Sequence, residues 1–457
     1  MFSISFWAVT LGLVAFNVNN PVNAINNGVA RLPSHVECLP GTRSLLNTNA
    51  LGTDANNEPS AYSQCNIDEN LLLTTAKLMK SLGLQAAGYN FVNIDDCYAE
   101  KNRTASGDIQ EGKLCIEQPF SVMFCPTDFK VTIRQSSLQE WDGQAQSTDP
   151  CSWIYSDSGW FTCAGYPGSF MNEVRDATTF AKWGFDYLKY DNCAIPYDDI
   201  IKQGIVGKYQ RMADALAQVS KTFNRPFVFS LCEWGWTTGD IAPQWNSLAS
   251  IINFNSFITQ ATDFYGRNDL DMLQLGNGGL TFEESKSHFT AWALMKSPLL
   301  IGTNLSAITP DILEILTNRE ILAINQDPVE GTSISPFRWG INPDWTSNST
   351  HPAQYWSGPS ENGTVFMLLN TLDTPSTMFF NLTESPFIRA GRQYSVRDLW
   401  SHTNNGTAVR NFTATDVPPH GVVALLLKDA GDEPAGLFPA CSVWWQCTDK
   451  NGTHVGG

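Results

Sequence analysis

Strand after strand in the first two thirds of this chain closes on a carboxylate. Phe91-Val92-Asn93-Ile94 runs into Asp95 and Asp96, Ile154-Tyr155-Ser156 into Asp157, Phe185 to Tyr190 into Asp191, and Phe227 to Cys232 into Glu233. Further on, Thr238-Gly239 precedes Asp240, and Asn268-Asp269-Leu270 precedes Asp271. Any one of these acids could cap the helix that follows it. As a set they are costly in a pure packing role, because a buried charge is destabilising unless it is paired. A (β/α)8 barrel brings all its strand C-termini to one mouth, where active sites sit. A ring of carboxylates at such a mouth suits a sugar, with acceptors for hydroxyls and two acids to work on a glycosidic bond.

The rest of the pattern agrees with that architecture. Up to about residue 335, short apolar runs alternate with amphipathic segments, the rhythm that builds parallel sheets. One such segment, 69–82, spaces Leu72, Ala76, Leu78 and Met79 at helical intervals and stops at Gly83. Beyond 335 the sequence turns to short strands separated by Gly, Pro and Asn, at 364–369, 377–382 and 421–427, which predicts an antiparallel sheet domain. The expected organisation is therefore a signal segment over 1–24, an α/β barrel over 25–334, an antiparallel β-sandwich over 335–430 and an extension over 431–457.

The signal segment rests on an apolar run from Phe6 to Phe16, too short to span a bilayer, followed by the small residues of Val22-Asn23-Ala24. It predicts a secreted, extracellular protein. In that setting the eight Asn-x-Ser/Thr sequons, at Asn102, Asn304, Asn348, Asn362, Asn381, Asn405, Asn411 and Asn451, are candidate glycan acceptors, of which only some are expected to be used. The 11 cysteines read as disulfides with at least one thiol left over. They contain no Cys-x-x-Cys pair, and the histidines no His-x-x-x-His spacing, so a metal site has little support. A formal charge of -17 with only 28 Lys and Arg cannot supply the phosphate neutralisation that nucleic acid needs, and it argues against an anionic membrane surface. Neutral small molecules are the expected partners, and no cofactor is implied.

The blocks Gly88-Tyr-Asn-Phe-Val-Asn-Ile-Asp-Asp-Cys97, Leu188-Lys-Tyr-Asp-Asn-Cys193, Leu231-Cys-Glu-Trp-Gly-Trp236, Thr237-Thr-Gly-Asp240 and Ile324-Asn-Gln-Asp-Pro328 resemble glycoside hydrolase family 27, and more narrowly its secreted fungal α-galactosidases. That resemblance implies a (β/α)8 TIM barrel followed by an antiparallel β domain, and retaining hydrolysis of terminal α-linked galactose. By the same resemblance Asp191 is the nucleophile and Asp240 the general acid and base. Asp95, Asp96, Tyr155, Lys189, Glu233 and Trp234 are the substrate-binding residues, with Glu233 and Trp234 favouring galactose over its N-acetylated analogue. The α-galactosides are then the substrate class. An inert galactose-binding homologue and a β-L-arabinopyranosidase are the other readings. Cys65 is expected to pair with Cys97, and Cys163 with Cys193. Asp240 is expected to hold the proton of the catalytic pair, while Lys189 favours the ionised form of Asp191.

Three stretches depart from the family's pattern. Leu32 to Ser60 lacks the first-strand Gly-Trp/Tyr-Asn-Thr-Trp motif, Phe120 to Asp149 is polar and unpatterned, and Cys232-Glu-Trp-Gly-Trp236 abuts Thr237-Thr-Gly-Asp240 directly, with Trp236 where an Arg is usual. The barrel is thus expected to be incomplete at strand 1, unless Leu32 to Gly52 supplies a substitute, and incomplete around strands 5 and 6. Asp240 is expected to be displaced from Asp191.

Overall fold

The computed structural model describes residues 34–38, 69–112, 153–185, 187–224, 226–232, 243–341, 348 and 350–437. The first unit contains β1 (Ser34–Cys38), α1 (Glu69–Ser81), α2 (Leu84–Ala87), β2 (Tyr89–Ile94), β3 (Trp153–Asp157), α3 (Glu173–Trp183), β4 (Tyr187–Asp191), α4 (Tyr197–Phe223), β5 (Val228–Leu231), α5 (Trp245–Asn255), α6 (Phe282–Leu294), β6 (Leu300–Ile301), α7 (Pro310–Leu316) and α8 (Arg319–Asn325). Its six strands are parallel in the order β5-β4-β3-β2-β1-β6, and Leu273 continues the sheet past β6 through a parallel bridge to Ile301. Residues 233–242, between β5 and α5, lie outside the described residues.

Where the sequence lacks the family's first-strand motif, the chain still fills the position. β1 pairs with β2 on one side and with β6 on the other, so Ser34–Cys38, inside the stretch named as a substitute, closes that gap. A two-edged opening in the sheet would have left two rows of backbone groups unpaired.

Register places the site. Tyr155 is level with Lys189, and Asp157 with Asp191, across the parallel β3–β4 pair. Side chains two apart on a strand share a face, so these four residues point to the same side. The helices behind them are held by ordinary means. α3 buries Ala177, Phe180 and Ala181 and ends at Gly184, whose φ of 95° is readily available to glycine. α6 begins with a full capping box between Thr281 and Glu284.

The second unit is antiparallel: β7 (Ser335–Arg338), β8 (Tyr355–Ser360), β9 (Gly363–Leu369), β10 (Ser376–Asn381), β11 (Arg392–Asp398), β12 (Thr403–Val409), β13 (Asn411–Val417) and β14 (Val422–Asp432). Six strands form one sheet in the order β12-β11-β14-β9-β8-β7, and β10 pairs with β13 in a second. Phe366, Phe380, Leu425 and Leu427 fill the space between the sheets, with the Phe366 and Phe380 rings 5.1 Å apart. The three strands expected from the sequence correspond to β9, β10 and β14, and α1 agrees with the expected helix to within a residue. β14 carries on to Asp432, two residues past the expected boundary, because it pairs with β11 as far as Arg392.

The two units share one apolar core. Trp292 and Leu294 of α6 belong to the same buried cluster as Trp356, Met367 and Ala424 of the β domain. Polar contacts fix the alignment: Ser287 donates to the His420 carbonyl at 2.6 Å, His420 lies 2.7 Å from Glu284 and stacks on Trp245 at 4.3 Å, and Arg397 pairs with Glu320 at 2.7 Å.

Candidate active site

The ends of β2, β3, β4 and β5 converge as the sequence predicts. The Lys189 ammonium donates to Asp95 Oδ2 at 2.6 Å, and the Tyr155 hydroxyl donates to Asp191 Oδ2 at 3.1 Å. Asp191 Oδ1 accepts the Asn192 amide at 2.8 Å. Asp96 accepts the Cys97 amide on Oδ1 at 2.7 Å and the Ala164 amide on Oδ2 at 2.9 Å, so it braces the loop after β3 as well as facing the mouth. Asp95 and Asp191 are both less than a tenth exposed. Five of the expected residues, Asp95, Asp96, Tyr155, Lys189 and Asp191, therefore form one cluster. Glu233, Trp234, Trp236 and Asp240 lie outside the described residues.

The electrostatics differ from expectation in one respect. Lys189 was expected to favour ionised Asp191, and it does pull in that direction, but burial outweighs it and raises the Asp191 carboxyl above its ordinary range. The ammonium donates to Asp95, and its field acts on Asp191 from there. Burial also raises Asp96, and pushes Asp157 up to about 7 against the amide hydrogen bonds it accepts.

The wall beside the nucleophile is covalently pinned. Cys163, after β3, is bonded to Cys193, after β4, with a Cα separation of 5.1 Å, in the ordinary range for a disulfide. Cys97 is also disulfide-bonded, while Cys65 lies outside the described residues. Gly159 lets the two loops touch: a Cβ there would stand 2.0 Å from the Cys193 carbonyl. Cys97, Ala194 and Asp271 all take left-handed backbone conformations at the mouth, with φ of 75°, 44° and 74°. Such conformations in residues other than glycine cluster at functional sites.

Two residues at the site had no assigned role. Asp157 was visible only as one more strand-ending acid. Cys232 has a free, half-buried thiol that hydrogen-bonds Asp191, and burial raises its pKa. The signal for Cys232 was its place as the last residue of the fifth apolar run, masked by the abundance of cysteines.

Comparison with known proteins agrees with the geometry. The sequence profile described as alpha galactosidase A matches residues 50–119, 151–238 and 231–327, and that of the alpha galactosidase C-terminal beta sandwich domain matches 350–427. "Probable alpha-galactosidase B" of Talaromyces emersonii is 37% identical over 423 residues, covering 80% of this chain and 89% of that protein. The chain belongs to the α-galactosidases of glycoside hydrolase family 27. Another relative in the family, "Probable alpha-galactosidase B" of Aspergillus clavatus, is 36% identical over 452 residues, covering 86% of this chain and 96% of its own length. Among solved structures, alpha-galactosidase I from Mortierella vinacea superposes with a TM-score of 0.67 at 28% identity, covering 89% of this chain and all of that one. The Saccharomyces cerevisiae α-galactosidase with raffinose gives 0.65 at 25% identity, covering 87% and 98%. The family profile is interrupted between 119 and 151, and its matches overlap at 231–238, where the sequence departs from the family's pattern.

Proposed function

We propose that this chain hydrolyses terminal α-linked D-galactose from galacto-oligosaccharides or galactomannan side chains, with retention of configuration. The observation that carries the reading is the Asp191 cluster: a buried carboxylate held by the Tyr155 hydroxyl and the Asn192 amide, beside a Lys189–Asp95 ion pair. Asp191 accepts the Tyr155 hydroxyl on Oδ2, the Asn192 amide on Oδ1 and the Cys232 thiol, and a remaining lone pair attacks the anomeric carbon. Attack forms a covalent galactosyl ester on Asp191 as the bond to the leaving oxygen breaks, and Asp240 supplies the proton to that oxygen. Asp240 then takes a proton from water, whose oxygen attacks the anomeric carbon and returns Asp191 to its carboxylate. The ester geometry requires the two acids roughly 5 Å apart. Lys189 and Asp95 form a nearly neutral pair that offers the sugar hydroxyls both donors and acceptors without an unpaired buried charge.

The signal segment and sequons support export through the secretory route. Asn102, Asn362, Asn405 and Asn411 are exposed and open to a glycan.

The test is hydrolysis of an aryl α-D-galactopyranoside followed by proton NMR. The expected first product is α-galactose, with a covalent adduct on the peptide containing Asp191 when a slow fluorinated galactoside is used. Release of β-galactose first overturns the retaining mechanism. Galactose binding with no turnover identifies an inert homologue instead, and preference for a β-L-arabinopyranoside the sister activity.

A further inference from the structure

Asp157 is a buried acid for which the reaction just described has no part. It is fully enclosed at the end of β3, level with Asp191 on β4. Its Oδ1 accepts the Gly159 amide at 2.6 Å and its Oδ2 the Cys193 amide at 2.8 Å. One carboxyl thus ties the loop leaving β3 to the loop leaving β4. The tie is reinforced by the Ser158 amide on the Asp191 carbonyl at 3.0 Å, the Trp160 amide on the Ala194 carbonyl at 3.1 Å, and the Cys163–Cys193 disulfide. This knot fixes Cys193 and Ala194 behind the nucleophile, while Lys208 of α4 holds Asn192 between them.

The second observation is the spacing of charge. An oxygen of Asp157 and one of Asp191 lie within 4.8 Å of each other and of both disulfide sulfurs. Those sulfurs are bonded to one another, so no thiolate pair is there to share a cation with the two carboxyls. Two like charges at that separation, shielded from water, oppose each other's ionisation. The groups that face Asp157 are Asp191 from β4, Asp96 from the loop after β2 and the Tyr155 and Tyr190 hydroxyls, none of them cationic. Asp191 faces the Lys189 ammonium as well as Asp95, and holds the Tyr155 hydroxyl, the Asn192 amide and the Cys232 thiol, three donors that favour its ionised form. The proton shared between the two sites therefore belongs on Asp157.

We propose that Asp157 is the positioning residue of the nucleophile: its carboxyl knots the β3 and β4 loops around Asp191, and it stays protonated so that Asp191 carries the negative charge that attacks the sugar. This rests on the glycosidase reading above. Raising the pH until Asp157 also ionises places a second negative charge beside Asp191, so Asp157 sets the alkaline limit of a reaction whose leaving group needs no proton from Asp240. Its carboxyl is pushed up to about 7 by burial, which puts that limit near neutrality.

The experiment compares the unmodified chain with Asp157→Asn and Asp157→Glu, measuring kcat and KM from pH 4 to 9 for a dinitrophenyl α-galactoside, whose leaving group departs without a proton from Asp240. Asn cannot ionise, and its amide nitrogen meets one of the two donor amides that now bind oxygen. We expect kcat to fall about 10- to 100-fold in Asp157→Asn, the range for a misplaced reacting group, with KM changed less than threefold, and the alkaline limb to move above pH 8. Asp157→Glu keeps an ionisable group and is expected to keep an alkaline limb below pH 8 at reduced kcat. A purely structural Asp157 would lower activity in both variants and leave the limb where it was, which overturns the proposal. Should Asp157→Asn not fold, the burst of aglycone in the first turnover of the unmodified enzyme carries the same test: it is expected to slow with a midpoint near pH 7, and a constant burst rate through pH 8 overturns the proposal. Turnover by the unmodified chain with an unshifted variant profile removes this inference alone. No turnover by the unmodified chain removes the glycosidase reading and the inference with it.

Discussion

Lys189 reaches Asp95 rather than Asp191, and that one contact predicts how two substitutions will differ. Replacing Asp191 with Asn removes the attacking oxygen's charge, and the expected loss in kcat is about 10⁴-fold or more, as for other removed nucleophiles. Lys189→Met leaves Asp95 buried without its partner, which is strongly destabilising for a desolvated acid, so the expected signature is a raised KM together with a lowered melting temperature. Steady-state kinetics and thermal melts of the two variants decide it; a Lys189→Met enzyme of unchanged stability would count against the ion pair. The same scale carries a pH prediction. Asp157 holds its proton up to about pH 7 when folded and to 3.8 when unfolded, so folding takes up a proton between those values. Its contribution to stability is fullest below 3.8, falls as pH rises through the window, and is constant above 7, a change of about 4 kcal/mol at 1.36 kcal/mol per unit. The stability of Asp157→Asn relative to the unmodified chain is expected to improve by that order from pH 4 to pH 7.5; a difference independent of pH would remove the assignment.

At the level of elements, the strands that end on acids were the most legible part of the sequence, because a parallel strand buried on both faces writes itself as an unbroken apolar run. The apolar runs of β2, β3, β4 and β5 were all found, although β5 is only partly buried, with Val228 exposed. β1 was not, since Ser34-His-Val-Glu-Cys38 is neither apolar nor alternating and becomes a strand only because β2 and β6 leave a place for it. β7, β8, β11, β12 and β13 were not found either; for β12 and β13 the reason is that their exposed faces are Asn- and Thr-rich and read as loop. At the site, Asp191, Lys189, Asp95 and Asp96 were legible through their blocks and Tyr155 only through the family resemblance, whereas the hydrogen bond between Cys232 and Asp191 depends on the register of β4 and β5, which no local pattern encodes. The knot between β3 and β4 offers its own test. Removing the Cys163–Cys193 bridge by a double Ser substitution frees a 30-residue loop and is expected to cost about 3 to 4 kcal/mol, the loop-entropy value for that length. Gly159→Ala is expected to be worse for activity than its size suggests, because the added methyl must displace the Cys193 and Ala194 carbonyls. Denaturant titration and kcat of the two variants would show it; wild-type kcat in Gly159→Ala would mean the loops have room that the contacts deny.

On the scale of the whole molecule, barrel and β domain stand or fall together. Beyond its exposed first turn α6 has no solvent face: every residue from Ser287 to Leu294 is buried, Ser287, His288 and Thr290 as well as Phe289, Trp292 and Leu294. A helix buried all round needs cover on every side, and β9 and β14 supply one of those sides. His288 shows how deep the helix lies. Its Nε2 accepts the Gln274 amide at 2.9 Å, and burial pushes the ring down to about 3. Without the β domain, the face of α6 that meets Trp356, Met367 and Ala424 would be exposed as a large apolar patch, and Glu284 and Glu320 would lose His420 and Arg397. A chain ending after residue 334 is therefore expected to be insoluble or unfolded. The full chain is expected to melt in a single calorimetric transition, with van't Hoff and calorimetric enthalpies in agreement. Acid should weaken it through His288, which takes up a proton below pH 6.5 when unfolded but only near 3 when folded, so its contribution is complete above 6.5 and lost as pH falls toward 3. Two resolved transitions, or a soluble, folded barrel made without the β domain, would show that the shared core is an ordinary contact between independent units.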